Sequence, residues 1–416
     1  MTINSFREDS RNNAQGSPLE GILRNNKGVD VTKPELTSEQ QHIFNLIKRN
    51  PTEEILTEER LANYISSKTP LRHYIGFEIS GFVHLGTGLL SMNKVADFQQ
   101  AGAETTIFLA DYHSWINKKL GGDLETIQRA AGTYFKEAMK MSLECVGGKS
   151  GDVKFVLGSD LYKKLGLDYL NGIIKTSMEM SLARAKRSIT VLGRREGDEV
   201  DLAQLLYVPM QVADIYGQKV NLAHAGMDQR KAHAVALDVS KEFQYSPVAV
   251  HHHLLMGIHI TEEQRQRIVS AKANKDREAF EQEVIDIKMS KSNPSSAIFI
   301  HDSEEQIKKK IMGAFCPVGE TEVNPIIDIS RYVIWPYLTR KEEEFEVTNA
   351  KTKETSLYKS QENLEAAYKS SLIHPLDMKG SVSKYLVEIL GPARKHFLEG
   401  PGKRYLDEMN EIKITK

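Results

Sequence analysis

RHYIGFEISGFVHLGTGLLSMNKVADFQQAGAETTIFLA, residues 72–110, contains the pattern of a strand, a helix and a second strand. Arg72–Ser80 is rich in β-branched and aromatic residues and ends at a Ser-Gly break, which is typical of a strand. Leu89–Gln100 has apolar residues at helical steps, and Thr105–Ala110 is a short apolar run typical of a buried strand. Two strands joined by a helix become parallel neighbours, so the stretch predicts a parallel sheet of the α/β class.

The alternation of helices and strands continues on both sides of this unit. A helix is predicted over about Leu124–Glu144, a strand over Val153–Leu157 and another buried strand over Val248–Val250. On the N-terminal side, aliphatic residues at three- and four-residue steps in Thr37–Ser67 predict helix, interrupted at Pro51.

We predict three segments along the chain. Residues 1–37 are polar without a sustained period, which favours a flexible extension. Residues 38–302 form the α/β part, with an insertion at about 112–200 and a charged helical insertion at about 261–287. Residues 303–416 are predicted to be mainly helical.

Two local patterns mark the C-terminal part. Ser303 and Gln306 have the spacing of a capping box, which predicts a helix start there. The Glu- and Lys-rich stretch 341–356 predicts an exposed linker or loop.

Composition excludes several classes of protein. The 416 residues include 55 Lys plus Arg and 56 Asp plus Glu, a balance that excludes a histone-like polycation but allows a local basic face. The only cysteines are Cys145 and Cys316, which excludes a disulfide framework and a cysteine-based zinc site. No apolar run approaches the roughly 20 residues of a membrane span, and the N-terminus lacks a signal-peptide core. We therefore expect a cytoplasmic chain without a membrane partner.

A glycine-rich turn, Gly81–Gly88, connects the first strand to its helix. Small residues at a helix N-terminus let backbone amides approach a phosphate, and His84 adds a side-chain donor. The alternative is an ordinary turn with a histidine that is satisfied within the protein, because short glycine patterns are weak signals.

A second candidate is the loop Lys288–Pro294, which begins KMSKS. Lysines and hydroxyls on such a loop can close over a polyphosphate and neutralise charge as it develops. The alternative is a solvated basic loop.

Tyr207, Gln211 and Asp214 follow one another at positions i, i+4 and i+7, so a helix presents them on one face. Polar groups on a face turned toward a core are costly unless they line a site. The spacing therefore predicts a polar pocket built on one helix.

Two further clusters have ordinary alternatives. Basic residues at Arg184–Arg187, Arg194–Arg195 and Arg230–Lys231 fit either a solvated helix face or a nucleic-acid contact. The run His251–His253 follows a short strand, has no carboxylate or cysteine beside it, and alternates between faces. We therefore predict no structural zinc there.

His84-Leu85-Gly86 followed by the distant KMSKS string resembles the paired signature of class I aminoacyl-tRNA synthetases. More narrowly, residues 40–400 resemble the tyrosyl-tRNA synthetases of the archaeal and eukaryotic type. The further segments that carry this resemblance are Tyr74–Glu78, Leu109–His113, Tyr207–Ile215, Gly226–Lys231 and His374–Asp377. The resemblance implies a Rossmann-like catalytic domain and a helical anticodon-binding domain, with activation of L-tyrosine by ATP and transfer to tRNA(Tyr).

The resemblance also implies roles in binding tyrosine. Asp214 and Tyr74 are expected to hydrogen-bond the substrate phenol. Tyr207, Gln211 and Gln229 are expected to hold the ammonium group.

At the ATP end, the resemblance implies that His84, Gly86, Lys288 and Lys291 are the catalytic residues. The substrate carboxylate is the nucleophile, so no protein nucleophile is needed and catalysis is positioning plus charge stabilisation. Mg²⁺ is expected to arrive with ATP, without a tightly bound metal. The residues expected to contact ATP are Gly76, His84, Gly86, Lys288, Ser290 and Lys291.

For tRNA, the resemblance aligns Arg187 and Arg230 with positions near the acceptor end. His374 and Asp377 align with the anticodon-contacting motif, where a ring and a carboxylate can recognise an unstacked base. The family also implies a homodimer formed through the region after Asp111.

Departures from the family pattern lie at Thr87, where a second histidine is common, at Tyr162, where a pocket glutamine is common, and at Val333, an aromatic position. Two alternatives stay open. One is the sister enzyme for tryptophan, against which Asp214 and Tyr74 argue because an indole N–H offers one donor and no acceptor. The other is a non-catalytic RNA-binding paralogue, which would not need KMSKS and His84.

Overall fold

The structure, a computed structural model, describes residues 34–194, 198–291 and 293–412. In this part of the chain a large mixed sheet is followed by a small hairpin. The large sheet comprises β1 (Thr52–Leu56), β2 (Arg72–Phe77), β3 (Glu104–Leu109), β4 (Val153–Leu157), β5 (Leu222–Gly226) and β6 (Val248–His252), and the hairpin comprises β7 (Phe345–Thr348) and β8 (Thr355–Tyr358).

Helices surround the sheet and dominate the C-terminal part. They are α1 (Ser38–Lys48), α2 (Glu58–Ser66), α3 (Ser91–Gln100), α4 (Asp111–Ile116), α5 (Leu124–Ala130), α6 (Lys136–Cys145), α7 (Gly158–Leu165), α8 (Leu167–Met178), α9 (Leu182–Arg187), α10 (Leu202–Leu205), α11 (Tyr207–Gly217), α12 (Arg230–Asp238), α13 (Glu262–Ala273), α14 (Arg277–Ile287), α15 (Glu304–Gly313), α16 (Pro325–Ile329), α17 (Trp335–Lys341), α18 (Gln361–Lys369), α19 (Pro375–Ile389), α20 (Gly391–Leu398) and α21 (Lys403–Glu411). The π-helical turns that run directly into α3, α6 and α17 are Gly86–Leu90, Ala131–Phe135 and Ser330–Ile334.

The strand order in the large sheet is β1-β6-β5-β2-β3-β4, which confirms the predicted α/β class. Strands β2 to β6 are parallel to their neighbours, and β1 pairs antiparallel with β6. Because β2 pairs with β3 on one side and β5 on the other, the chain winds outward in both directions from β2. The crevice at the carboxyl ends of β2 and β5 is therefore a topological switch point, where open α/β sheets bind ligands.

Both faces of the sheet are buried, as alternate residues of β2 show. Tyr74 packs with Phe108 and the apolar residues of α11 and α12, whereas Ile75 packs with Leu89 and Val95 on the opposite face. Side chains that follow one another in a strand point to opposite faces, so each face takes half of the residues. This explains why apolar residues follow one another directly in parts of these strands, as at Ile107, Phe108 and Leu109 of β3.

The helical C-terminal part packs directly against the sheet part. The ring centroids of Phe397 and Tyr134 lie 5.4 Å apart. The side-chain amide of Asn93 donates to the carbonyl of Val333 at 3.2 Å. Their buried neighbours belong to one apolar cluster that extends from β2 to α21.

The predicted helical character of residues 52–56 is wrong. These residues form β1, in which Ile55 pairs with Val250 and Leu56 with Ala249. The chain turns at Pro51 and adds an antiparallel strand to the exposed edge of β6. The spacing of two aliphatic residues does not distinguish this short edge strand from a helical turn.

The prediction of an exposed linker or loop at residues 341–356 is correct for the exposure of most of these residues but misses a hairpin. Phe345 and Val347 are buried members of β7, and they alternate with the more exposed Glu346 and Thr348. The hairpin forms because its apolar residues have a period of two, which the surrounding glutamates obscure.

Other predicted elements differ in their limits. Strand β2 ends at Phe77 rather than at Ser80, because the N–H of Ile79 donates to the hydroxyl of Ser114 instead of a neighbouring strand. Strand β4 has the predicted limits, and the predicted capping box opens α15. Most of the predicted N-terminal extension, residues 1–33, lies outside the described residues. No helix in the described ranges is both long and apolar enough to span a membrane.

Candidate active site

A cavity of about 510 Å³ opens at the carboxyl ends of β2 and β5. It brings together every residue predicted to act on tyrosine or ATP, although these residues come from distant parts of the sequence. They are Tyr74, Gly76, His84, Gly86, Tyr207, Gln211, Asp214, Gln229, Lys288, Ser290 and Lys291. The four predicted tRNA residues do not line it.

Asp214 is the most buried carboxylate of the cavity wall. Its Oδ1 accepts a 3.0 Å hydrogen bond from the hydroxyl of Tyr169, while Oδ2 has no hydrogen-bond partner among the described residues. Nε2 of His113 lies 3.6 Å from that second oxygen. Burial raises the pKa of Asp214 well above its usual range and lowers that of His113 to about 4. One carboxylate oxygen is thus available to a hydroxyl donor in the cavity.

Tyr74 lies on β2 in the same cavity, with its side chain almost fully buried. A Cβ at Gly76 would lie 2.5 Å from the Tyr74 hydroxyl and 3.6 Å from Phe108. Residues two apart in a strand share a face, so only glycine at position 76 leaves room for this hydroxyl.

Tyr207 and Gln211 are buried residues of α11 that line the cavity. The hydroxyl of Tyr207 donates to Oε1 of Glu78 at 2.9 Å, and the same oxygen accepts a 2.9 Å hydrogen bond from Asn117. Oε1 of Gln211 is buried without a hydrogen-bond partner among the described residues. The amide nitrogen of Gln229 donates to the carbonyl of Val191 at 3.1 Å. These oxygens and the Glu78 carboxylate form an acceptor-rich region.

His84 folds back over the start of its helix. Its Nδ1 accepts hydrogen bonds from the N–H groups of Gly86 at 3.2 Å and Thr87 at 3.5 Å. Burial, with added repulsion from Lys291 and Lys288, lowers the pKa of His84 to about 3. The ring is therefore neutral and carries its proton on Nε2, which lies 3.1 Å from the Thr87 hydroxyl.

Lys288 and Lys291 occupy the opposite wall. The ammonium of Lys288 lies 2.6 Å from Oδ2 of Asp228, which raises the pKa of this lysine despite the opposing effect of burial. Burial, reinforced by Lys119 and Lys288, lowers the pKa of Lys291 to about 7. Ser292, the last residue of the KMSKS string, lies outside the described residues.

The basic residues predicted to meet tRNA lie outside the cavity. Arg187 is exposed at the end of α9, and its carbonyl accepts a 3.5 Å hydrogen bond from the ammonium of Lys231. Arg230 already contacts Glu54, with Nε 2.7 Å from Oε2. The structure thus brings Arg187 next to Lys231, the neighbour of Arg230 in the sequence, and pairs Arg230 with a carboxylate. Arg195 falls outside the described residues.

His374 and Asp377 begin α19. His374 is exposed and caps the helix, with Nδ1 accepting from the N–H of Leu376 at 3.2 Å. Asp377 is buried, and its Oδ1 accepts a 2.9 Å hydrogen bond from the N–H of Ala350 in the β7–β8 turn. Val333 is fully buried and cannot stack on a base.

Each histidine of the run His251–His253 contacts a different group. Nδ1 of His251 lies 3.0 Å from Oε2 of Glu54. Nδ1 of His252 lies 2.7 Å from Nε2 of His224, and Nε2 of His253 lies 2.9 Å from Oδ1 of Asp328. The sequence has no carboxylate beside the run, but β1 and α16 bring carboxylates to it. Among the described residues, no three metal-binding side chains are grouped to hold an ion.

Several residues of the site were not singled out from the sequence. Tyr169 and His113 approach Asp214, while Glu78 and Asp228 approach Tyr207 and Lys288. Glu78, His113 and Asp228 lie within the segments that carry the family resemblance, which was the available signal. Tyr169 lies on α8, and no sequence pattern around it predicts its contact with Asp214. Tyr162 stacks on Tyr169 with ring centroids 4.0 Å apart and does not line the cavity.

Comparisons with known proteins agree with this geometry. Residues 66–391 match the family of class I tRNA synthetases for W and Y. The tyrosine–tRNA ligase of Thermococcus gammatolerans is 47% identical over 384 residues, which span 89% of this chain and 98% of the relative.

Solved structures give the same assignment. The tyrosyl-tRNA synthetase of Pyrococcus horikoshii, in complex with L-tyrosine, is 43% identical and superposes with a TM-score of 0.82 over 90% of this chain and 100% of that one. The enzyme of Aeropyrum pernix is 34% identical with a TM-score of 0.74, over 89% and 99% of the two chains. The chain therefore belongs to the class I tRNA synthetases, within the group of the tyrosine–tRNA ligases.

Proposed function

We propose that this chain activates L-tyrosine with ATP, forming tyrosyl-adenylate and pyrophosphate, and transfers tyrosine to the 3′ end of tRNA(Tyr). The observation that carries the proposal is Oδ2 of Asp214, a buried acceptor without a hydrogen-bond partner among the described residues. It shares one cavity with Tyr74, His84 and the two lysines of the KMSKS loop. The names of the relatives support the same reaction.

At the inner end of the cavity, Oδ2 of Asp214 accepts a hydrogen bond from the substrate phenol. The hydroxyl of Tyr74 donates to the phenol oxygen. Phenylalanine leaves both groups unpaired in a buried site, and an unpaired buried polar group costs about 1–3 kcal/mol. This cost provides the selectivity against phenylalanine.

At the mouth of the cavity, the substrate ammonium meets acceptors. The oxygen of Tyr207 can accept from it while its own proton is donated to Glu78. Oε1 of Gln211 and the side-chain oxygen of Gln229 supply further acceptors. The Glu78 carboxylate adds favourable charge.

The phosphates of ATP lie against the glycine-rich turn. Nε2–H of neutral His84 provides a donor, and the absence of side chains at Gly86 and Gly76 gives the nucleotide close access to the turn and to β2. Lys288, Ser290 and Lys291 approach from the KMSKS loop. Because Lys288 is paired with Asp228 in this structure, its ammonium exchanges that partner for phosphate during the reaction.

The chemistry needs no protein nucleophile. The tyrosine carboxylate attacks the α-phosphorus, the bond to the β-phosphate oxygen breaks, and pyrophosphate leaves with the negative charge. Lys288, Lys291 and His84 stabilise that charge as it develops. We propose that Mg²⁺ arrives bound to ATP.

For the transfer step, we assign Arg187 and Arg230 to contacts with the tRNA acceptor end. We assign residues 303–416 to the anticodon-binding domain. In this arrangement residues 38–302 are the catalytic domain. His374 is exposed at the start of α19 and is available to a base, whereas Asp377 acts through the β7–β8 turn that it holds. Translation in the cytoplasm is the process that consumes the product, so we assign the enzyme to the cytoplasm.

We also propose a homodimer formed through α8. Leu167, Leu170, Ile174 and Met178 repeat at three- and four-residue steps, and Leu167 and Met178 are 75% and 80% exposed. An apolar stripe on a helix that is left exposed is typical of a protein interface. The opposite face of α8 carries Tyr169, the partner of Asp214, so the interface would support the tyrosine pocket.

The experiment that tests the proposed function is ATP–pyrophosphate exchange with each of the twenty amino acids. We expect rapid exchange with tyrosine alone. Comparable exchange with tryptophan would favour the sister enzyme, and no exchange with any amino acid would favour a non-catalytic RNA-binding protein.

A further inference from the structure

Asp328 connects the helical C-terminal part to the segment that follows β6. Its carboxylate is almost fully buried on α16. Oδ1 lies 2.9 Å from Nε2 of His253, and Oδ2 accepts a 2.9 Å hydrogen bond from the N–H of Met256. One carboxylate therefore holds both a side chain and the backbone of the same segment.

The KMSKS loop pairs with this same segment. Met256 and Lys288 form an antiparallel β-bridge, and the N–H of Met289 donates to the carbonyl of Leu255 at 2.6 Å. Met256 therefore contacts Asp328 through its N–H and pairs with the backbone of Lys288 through the β-bridge.

His253 has a partner at each ring nitrogen and a third on its ring face. Its second ring nitrogen contacts the carboxylate of Glu53 on β1, and its ring stacks on Tyr332 with centroids 3.8 Å apart. Burial lowers the pKa of His253, but Asp328 and Glu53 outweigh this effect and raise it to about 9. At neutral pH a cation therefore lies between two carboxylates, an arrangement with strong, directional hydrogen bonds.

We propose that Asp328 and His253 are positioning residues for tyrosine activation, which clamp the segment 255–257 and thereby set the position of Lys288 as pyrophosphate leaves. Asp328 does not line the cavity and acts through the backbone beneath Lys288, whereas His253 also borders the cavity. The clamp makes the C-terminal part, which carries Asp328 and Tyr332, a contributor to the first chemical step. This inference rests on the role proposed above for Lys288.

Asp328→Asn tests the clamp, since the amide keeps the shape of the side chain but removes the charge that holds His253. We expect the single-turnover rate of adenylate formation per active site to fall by about 10- to 100-fold, as for a misplaced catalytic group. Tyrosine affinity, measured at equilibrium, should stay within about twofold of the wild-type value, because the tyrosine pocket is built on other elements. Active-site titration corrects for any unfolded fraction.

Asp407→Asn is the matched control. It makes the same change of side chain and disrupts the ion pair between Asp407 and Lys403, at 2.7 Å on α21, in the same helical part and away from the clamp. Its rate per active site should equal that of the wild type, even if its melting temperature falls.

A double-mutant cycle with Lys288→Ala separates positioning from general destabilisation. If Asp328 acts through Lys288, then Asp328→Asn should cause little further loss in the Lys288→Ala background. If the double variant instead loses rate by the product of the two single losses, the inference is overturned. A wild-type rate per active site in Asp328→Asn would also overturn it. Failure of the wild type to exchange with tyrosine would instead reject the proposed function.

Discussion

The hydroxyl of Tyr169 donates a 3.0 Å hydrogen bond to Oδ1 of Asp214 and leaves Oδ2 of the same carboxylate without a partner among the described residues. Tyr169 therefore fixes the orientation of a buried acceptor within the cavity. Pre-oriented acceptors favour a ligand with a matching donor, since no reorganisation is needed on binding. In the proposed function, recognition of the phenol would use the second oxygen of Asp214, which this hydrogen bond leaves open.

Asp214→Asn should lower kcat/KM for tyrosine in pyrophosphate exchange by about 10- to 100-fold, as expected when a buried hydrogen bond is lost and its partner is left unsatisfied. The rate with phenylalanine should not fall, because phenylalanine makes no such hydrogen bond. Asp160→Asn is the control, since Asp160 has an exposed side chain on α7. Equal losses for tyrosine and phenylalanine would contradict the assignment of Asp214.

Lys291→Ala should slow adenylate formation and leave tyrosine affinity in the free enzyme nearly unchanged. The expected loss is about 2–4 kcal/mol of transition-state stabilisation, similar to removal of one donor from an oxyanion hole. Single-turnover rates and equilibrium tyrosine binding separate the two effects. Lys309→Ala removes an exposed lysine on α15 and should change neither. A large loss of tyrosine affinity at an unchanged rate would reject the role of Lys291.

The affinity for ATP should depend on pH through Lys291. Its pKa is lowered to about 7 by burial and by Lys119 and Lys288, so the ammonium is charged below this pH and neutral above it. ATP affinity should therefore fall as pH rises through about 7, whereas Lys291→Arg should keep its charge throughout. The phosphates of ATP titrate equally in both experiments, so the difference reports on Lys291. Parallel pH profiles for the two proteins would contradict this prediction.

Asp377→Ala should lower the melting temperature, because it removes the hydrogen bond between the N–H of Ala350 and a buried carboxylate, at a cost of about 1.5–3 kcal/mol. This hydrogen bond favours a structural role for Asp377 over direct contact with a base. Aminoacylation of wild-type and anticodon-variant tRNA should give an unchanged ratio for Asp377→Ala and an altered ratio for His374→Ala. An altered ratio for Asp377→Ala, without loss of stability, would return Asp377 to the recognition site.

Ile174→Glu should dissociate the proposed dimer by placing a charge in the apolar stripe of α8. Sedimentation equilibrium should report half the wild-type mass. Val318→Glu alters another exposed aliphatic residue away from α8 and should leave the mass unchanged. A monomeric wild type, or a dimeric Ile174→Glu, would reject this interface.

Periodicity predicted the central part of the fold well. The pattern of residues 72–110 indicated parallel strands joined by a helix, and β4 has the predicted limits. Strand β1 and the hairpin β7–β8 were missed, since short edge strands with many glutamates carry little apolar signal. Their formation depends on partners that lie far away in the sequence.

The candidate site was predictable where its residues share one element. Tyr207, Gln211 and Asp214 could be grouped by helical spacing, because the geometry of a helix is local. The partners of these residues could not, since Glu78 and Tyr169 reach them from β2 and α8.

The amino-acid sequence by itself determined the α/β class and the polar face of α11, because both follow from the period of side chains along a helix or strand. Tertiary structure alone decided how each buried charge is satisfied. It paired Lys288 with Asp228, Asp377 with the N–H of Ala350, and Asp328 with His253. A buried charge binds whichever group packing brings within about 3 Å, and that distance is set by long-range contacts that no local pattern encodes.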